Sequence, residues 1–146
     1  MDGIFGMAVH ALVYLNHMGR VLSSEELARN ICTNPARVRK VMTGLKQAGL
    51  VQTKAGHAGG YIFCADAETL TLDTVAEAVD ARFVDSAWRS GDADMECLVA
   101  SGMADIMDSI YARLDSRCRK SLEGITIADI DRRIFGRGKE HSVGKE

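Results

Sequence analysis

The sequence predicts a mainly α-helical fold that carries a single small β-hairpin. Apolar residues recur at helical spacing in several separate stretches of the 146-residue chain. A glycine-rich turn at residues 56–60 lies between two runs with strand character, residues 50–54 and 61–64. A chain of this length forms one domain, or one domain with an appendage. Because the hairpin directly follows a cationic helix, we expect helix and hairpin to form one unit.

The first predicted helix, Ile4–Met18, is apolar on almost every side. Such a helix is buried on most of its faces. A domain of about 65 residues is too small to cover it completely. We therefore expect another element to pack on it, such as the C-terminal helix of a partner chain.

Two short helices are predicted next, joined by the turn 32–34. The first begins with a capping box formed by Ser23 and Glu26. The second begins at Pro35, which suits the first helical position, after a polar N-cap residue, and it ends near Gly49. Two short helices joined in this way predict a helix-turn-helix.

The second of these helices presents a cationic face. Its buried stripe is expected at residues 38, 41, 42 and 45. The rest of its surface holds cations and hydrogen-bonding side chains but no acid. Cations neutralise phosphates, and Arg and Gln can reach base edges in a major groove. The residues predicted to contact double-stranded DNA here are Arg37, Arg39, Lys40, Thr43 and Gln47. A merely solvated helix face is the alternative interpretation.

The hairpin makes the helix-turn-helix a winged one. Its glycines allow positive φ and leave little bulk at the tip, so the tip can lie along a minor groove or a phosphate backbone. The wing residues predicted to contact DNA are Lys54, His57, Gly59, Gly60 and Tyr61.

Charge is distributed unevenly along the chain, although the net charge is only −2. Residues 1–65 hold seven Lys and Arg against three acids, which gives +4. Residues 66–146 hold eleven against seventeen, which gives −6. Such asymmetry favours a polyanionic partner on one half only.

The C-terminal half is predicted to form a dimer. A helix capped by Thr71 and a variable connection, residues 80–96, lead to a long helix at about Ser101–Lys120. A helix of about 30 Å is too long for one small domain to cover. The residues predicted at the dimer interface are Met103, Met107, Ile110 and Leu114. A short last helix is expected after Thr126, followed by a polar tail at residues 136–146.

Four cysteines without a secretory pattern favour reduced thiols in a cytoplasm. Cys97 lies at the approach to the long helix, where a helix N-terminus favours the thiolate and three nearby acids oppose it. Cys32 lies in the turn before the cationic helix. We predict Cys97 as a redox-sensing thiol and Cys32 as its first candidate partner. A plain buried cysteine is the alternative.

The residues of this chain resemble the Rrf-two (Rrf2) family of winged-helix transcriptional regulators, which includes the IscR and NsrR types. The resemblance rests on GMAVHALVYL, SSEELAR, PARVRKVMTGLKQAGLV, GHAGGYIFCAD and TLDTVAEAV, and continues more loosely to TIADI. It implies a homodimer, a palindromic operator and repression. Iron–sulfur members of the family carry three closely spaced cysteines before the dimerisation helix. Here Cys97 stands alone in that segment, so the cluster is not carried over.

Four functions compete at this point. The leading prediction is a dimeric DNA-binding repressor whose C-terminal half responds to an oxidant or a small molecule. The alternatives are an iron–sulfur or ligand-sensing regulator of the same fold, a winged-helix module that binds protein, and a small thiol enzyme. No catalytic motif, CxxC pair or membrane span is present in the sequence. We therefore predict no enzyme activity, no metal, no cofactor and a cytoplasmic location. The expected division is a DNA-binding domain at 1–80, a sensor loop and dimerisation helices at 81–135, and the tail.

Overall fold

Six helices and one antiparallel hairpin make up the described part of the chain. The computed structural model describes residues 3–142, and side chains for residues 3–136. In chain order the elements are α1 Ile4–Met18, α2 Ser24–Ile31, α3 Pro35–Gln47, β1 Val51–Lys54, β2 Gly60–Phe63, α4 Leu72–Ala78, α5 Leu98–Lys120 and α6 Ile127–Ser142. This architecture confirms the predicted mainly α fold with a small β wing.

Helix α1 lies at the centre of the fold, and its predicted bounds are confirmed. Its side chains pack against α2, α3, α4, α6 and β2. One of the elements that pack on α1 is the chain's own C-terminal helix, α6. The ring of His17 on α1 stacks on that of Phe135 on α6, with centroids 4.0 Å apart. An apolar groove of about 550 Å³ remains open between the two helices.

Helices α2 and α3 form the predicted helix-turn-helix. The capping box is confirmed: Ser23 Oγ accepts from the backbone N–H of Glu26 at 3.1 Å, and Glu26 Oε2 accepts from that of Ser23 at 2.9 Å. Helix α2 ends at Cys32, which has a left-handed φ of 64°. Asn34 then caps α3 by accepting from the N–H of Arg37 at 2.9 Å. These two caps satisfy backbone N–H groups in the first turns of α2 and α3 and so set where each helix begins.

The start of α6 is tied to the start of α4. Thr71 and Thr126 form an isolated antiparallel bridge, and the N–H of Leu72 donates to Ile125 O at 2.8 Å. Helix α6 then continues past Gly136 to Ser142, where the sequence predicted a polar tail. A glycine costs a helix only about 1 kcal/mol, and the neighbouring Arg, Lys and Glu residues favour helix. Residues 143–146 of the predicted tail lie outside the described residues.

Helix α5 begins at Leu98, three residues earlier than predicted, with Cys97 as its N-cap residue. None of its 23 residues is buried. Four of its exposed apolar side chains lie on one stripe, with exposed fractions of 66% for Val99, 58% for Ile106, 40% for Ile110 and 46% for Leu114. Leu98, at the first position of the helix, is 85% exposed and lies about 100° away from Val99. Within residues 3–142, no helix is long and apolar enough to cross a membrane.

Candidate nucleic-acid interface

Helix α3 has one buried face and one exposed face, as the sequence predicted. Val38, Val41, Met42 and Leu45 are buried in the core. The five side chains predicted to contact DNA are exposed: Arg37, Arg39, Lys40, Thr43 and Gln47. Helix α3 is therefore anchored on one face while its cations stand in solvent on the other.

Arg39 and Thr43 also make hydrogen bonds within the protein. Arg39 Nη1 donates to Ser24 Oγ at 3.3 Å, which links α3 to the first turn of α2. Thr43 Oγ1 donates to the carbonyl of Arg39 at 2.9 Å. The Thr43 hydroxyl can therefore only accept a hydrogen bond from a partner outside, because its one proton is already used.

Gly44, on the flank of α3, fixes the distance between this helix and the end of α4. A Cβ at Gly44 would lie 2.6 Å from the carbonyl oxygen of Ala78. Only glycine permits this approach. The cationic helix is therefore held from both sides, by α2 and by α4.

The wing pairs Val51 with Phe63 at its base and Lys54 with Gly60 near its tip. β1 starts one residue later than predicted and ends at Lys54 as predicted, whereas β2 is shifted by one residue, so Cys64 follows it. Its Sγ donates to Gly49 O at 3.3 Å. Lys54 and His57 are exposed near the tip.

At two positions of the wing there is room only for glycine, because a side chain would collide with the backbone. A Cβ at Gly59 would collide with the carbonyl oxygens of Lys54 and Gly56, and one at Gly60 with that of Leu22. Tyr61 next exchanges both backbone hydrogen bonds with Leu22, at 2.9 and 2.8 Å. The wing is thus joined directly to the residue that precedes the helix-turn-helix.

A groove of about 430 Å³ separates α3 from the wing. Three predicted residues line it together: Thr43, Gln47 and Tyr61. Lys46 and Thr53 also line it and were not among the predicted DNA contacts. Lys46 could have been found from its helical spacing, because it lies three residues after Thr43 on the exposed side.

The remaining predicted contacts lie outside this groove. Arg37 and Lys40 line a smaller pocket of about 210 Å³ beside Ile4 and Met7 at the start of α1. Arg37 and Lys40 thus flank the helix on its α1 side, whereas Thr43 and Gln47 lie on its wing side together with Lys46. Cations suited to phosphates are thus present on both sides, and the uncharged polar groups suited to base edges lie on the wing side.

The two candidate redox thiols are free and exposed. The backbone N–H groups of Ala100 and Val99 lower the pKa of the Cys97 thiol, despite the acids that precede it in sequence. Cys32 Sγ donates to Arg29 O at 3.8 Å in the turn before α3. Cys97 is therefore the thiol whose surroundings favour the thiolate, as a helix N-terminus does.

The predicted dimer residues share one side of α5. Met103 and Met107 are half-buried, whereas Ile110 and Leu114 are exposed. The structure adds Val99 and Ile106, which are more exposed than either. A stripe of this kind on a helix without buried residues marks an interaction surface.

Comparison with known proteins points to transcriptional regulation. Residues 3–133 match the Rrf2 family, described as iron-dependent transcriptional regulators. The HTH-type transcriptional regulator IscR of Vibrio vulnificus is 31% identical to this chain over 93 residues, in both strain YJ016 and strain CMCP6. The matched region is 64% of this chain and 52% of that protein. The match thus spans about half the length of those curated relatives.

Solved structures share the fold. A Lactobacillus plantarum protein superposes with a TM-score of 0.77 at 22% identity, covering 100% of both chains. IscR of T. potens gives a TM-score of 0.61 at 17% identity, covering 89% of this chain and 84% of that one. CymR, the global cysteine regulator of B. subtilis, gives 0.62 at 14% identity, with 90% and 95% covered.

The family description implies iron, but the donors of this chain do not fit an iron–sulfur cluster. Such clusters are held mostly by several cysteine thiolates. The four cysteines lie apart, at the end of α2, after β2, before α5 and in the last turns of α5: Cys32, Cys64, Cys97 and Cys118. In the described part of the chain, no group of three or more His, Cys, Asp or Glu residues could hold a metal ion.

Proposed function

This chain belongs to the Rrf2 family of transcriptional regulators, and on that basis we propose that it is a homodimeric repressor that binds a palindromic DNA operator in the cytoplasm. The observation that carries the proposal is the acid-free face of α3, whose side chains are exposed beside a slim wing. Recognition helices and wings of this kind contact DNA from a rigid support.

Dimerisation is supported by α5. A 23-residue helix with no buried residue leaves its apolar stripe in water unless another chain covers it. A second copy also supplies the second half-site contact that a palindrome requires. In such a dimer the two α3 helices lie about 34 Å apart, one turn of B-DNA.

The DNA contacts divide into two roles. Arg37, Arg39 and Lys40 neutralise phosphates, and affinity then depends steeply on salt. Thr43 and Gln47, in the groove beside Tyr61, read base edges. Lys54, His57 and the backbone of Gly59 and Gly60 follow the phosphate backbone from the wing.

Oxidation of Cys97 is the proposed signal. An exposed thiol whose pKa is lowered by backbone N–H groups forms thiolate at lower pH than a free cysteine and reacts first with an oxidant. A bond to Cys32, in the turn between α2 and α3, would displace the recognition helix. A small molecule is the second candidate signal, favoured by the apolar groove of about 550 Å³ between α1 and α6.

Footprinting on the chain's own promoter region tests the proposal. We expect two protected half-sites, centred about 10 base pairs apart and related by a dyad. A single unpaired footprint would contradict the dimer. A folded wild-type protein that protects no DNA would favour a winged-helix module that binds protein.

A further inference from the structure

Residues 83–97, here called the strap, lie along α5 in the antiparallel direction. Asp115 Oδ1 accepts the backbone N–H groups of Phe83 at 2.6 Å and Val84 at 3.0 Å. Further along the strap, the N–H of Asp92 donates to the carbonyl of Ala100 at 3.0 Å. The contacts thus move backwards along α5, from residue 115 to residue 100, as the strap moves forwards.

Between these two ends, one guanidinium joins the strap to two carboxylates of α5. Arg89 Nη2 lies 2.9 Å from Asp105 Oδ1 and 3.0 Å from Asp108 Oδ2. At about 100° per residue, both acids point well away from Ile110 on the apolar stripe. The strap therefore occupies the back of α5 and leaves the proposed dimer surface free.

The group that holds the start of the strap, the carboxyl of Asp115, is charged. Partial burial alone would raise the pKa of Asp115, but the N–H groups of Val84 and Phe83, with Arg119 and Arg82 nearby, lower it overall. Asp115 is therefore a carboxylate at neutral pH. A carboxylate that accepts two backbone N–H groups makes stronger hydrogen bonds than a neutral acceptor.

The last part of the strap folds into a turn before Cys97. Asp92 Oδ1 accepts from the N–H of Asp94 at 3.0 Å, and Asp92 O accepts from that of Met95 at 3.1 Å. Gly91 has a left-handed φ of 71°, and a Cβ there would collide with the carbonyl of Ala100. The turn is thus defined by the hydrogen bonds that Asp92 accepts and by the left-handed conformation of Gly91.

We infer that the strap is ordered by these polar contacts and by the edge-to-face contact of Phe83 with Phe5 of α1, without a metal, and that this chain holds no iron–sulfur cluster before α5. The donors near the turn are one thiol, Cys97, and the carboxylates of Asp92, Asp94 and Glu96. Carboxylates prefer hard cations, whereas iron–sulfur clusters select soft thiolates. The inference departs from the iron dependence in the family description. It does not depend on DNA binding.

Metal content gives the first test. Protein purified without oxygen should be colourless, and iron and sulfide assays should find neither at a stoichiometric level. Stoichiometric iron and sulfide would overturn the inference, and their loss in Cys97→Ser would identify the ligand.

Amide hydrogen exchange gives the second test. In wild-type protein the amides of Phe83, Val84 and Asp92 should be protected equally before and after dialysis against a chelator. Asp115→Ala should lower the protection of Phe83 and Val84 by about tenfold or more, because they lose a charged acceptor. Asp85→Ala, which removes an exposed carboxylate of the strap itself, is the matched control and should leave protection unchanged.

Two exchange results would overturn the inference. One is a loss of strap protection after chelation. The other is unchanged protection of Phe83 and Val84 in Asp115→Ala, with the helices protected as in wild type. Because neither readout uses DNA, failure here is distinct from failure of the proposed DNA-binding function.

Discussion

Leu22 and Tyr61 exchange both of their backbone hydrogen bonds, at 2.9 and 2.8 Å. This pair joins the wing to the residue that precedes the N-cap of α2, so the wing is linked directly to the helix-turn-helix. Gly60 makes the pairing possible, because any Cβ there would collide with the carbonyl of Leu22. The position of the wing relative to α3 is therefore set by a backbone contact.

We expect Gly60→Ala to lower the free energy of unfolding by about 1–3 kcal/mol, because the chain must move apart at Leu22. Thermal unfolding measures this change. Gly6→Ala is the control, since a Cβ at Gly6 meets no atom within 4 Å. Equal melting temperatures for Gly60→Ala and wild type would show that the wing is not held in this way.

Lys40 and Gln47 should give different kinds of binding defect. Lys40→Ala should weaken binding to all DNA sequences alike and reduce the salt slope by about 1 per subunit, because each subunit loses one phosphate contact. Gln47→Ala should relax sequence preference and leave the salt slope unchanged. Competition binding with operator and random DNA at several salt concentrations measures both. A reversal of the two effects would contradict the proposed division of α3.

Ile110→Asp should convert the dimer to monomers and abolish operator binding, because it places a charge in the centre of the apolar stripe. Light scattering at micromolar concentration measures the mass. Ser116→Asp adds the same charge to the same helix, about 120° away from Ile110, and should remain dimeric. A monomeric wild type, or a dimeric Ile110→Asp protein, would rule out this interface.

Cys97 should react with an alkylating reagent at lower pH than a cysteine in an unstructured peptide. Backbone N–H groups of Ala100 and Val99 lower the pKa of the thiol, so the reactive thiolate forms earlier as pH rises. Mass spectrometry of partly alkylated protein measures the rate. Cys97→Ser should bind DNA normally and remain bound when an oxidant is added. If that variant still releases DNA on oxidation, another group of the protein senses the oxidant.

The sequence predicted the elements whose signals are local. Ser23 and Pro35 mark helix starts through capping chemistry, and the apolar spacing from Ile4 gives α1 its bounds. The strap could not be predicted, because Arg89 meets Asp105 across sixteen residues without any periodic pattern. The helical spacing of Lys46 after Thr43 indicates its exposed position, but its place beside Thr53 depends on how the wing folds back on α3.

Salt dependence of binding to the chain's own promoter region tests the central claim most directly. We predict that wild-type affinity falls steeply and linearly on a logarithmic plot as salt rises. For the combined variant of Arg37→Ala, Arg39→Ala and Lys40→Ala, the slope should be shallower by about 3 per subunit. Circular dichroism should show that the variant keeps the wild-type helix content. A wild type whose binding ignores salt, or a folded triple variant with wild-type affinity and slope, would contradict DNA binding through α3.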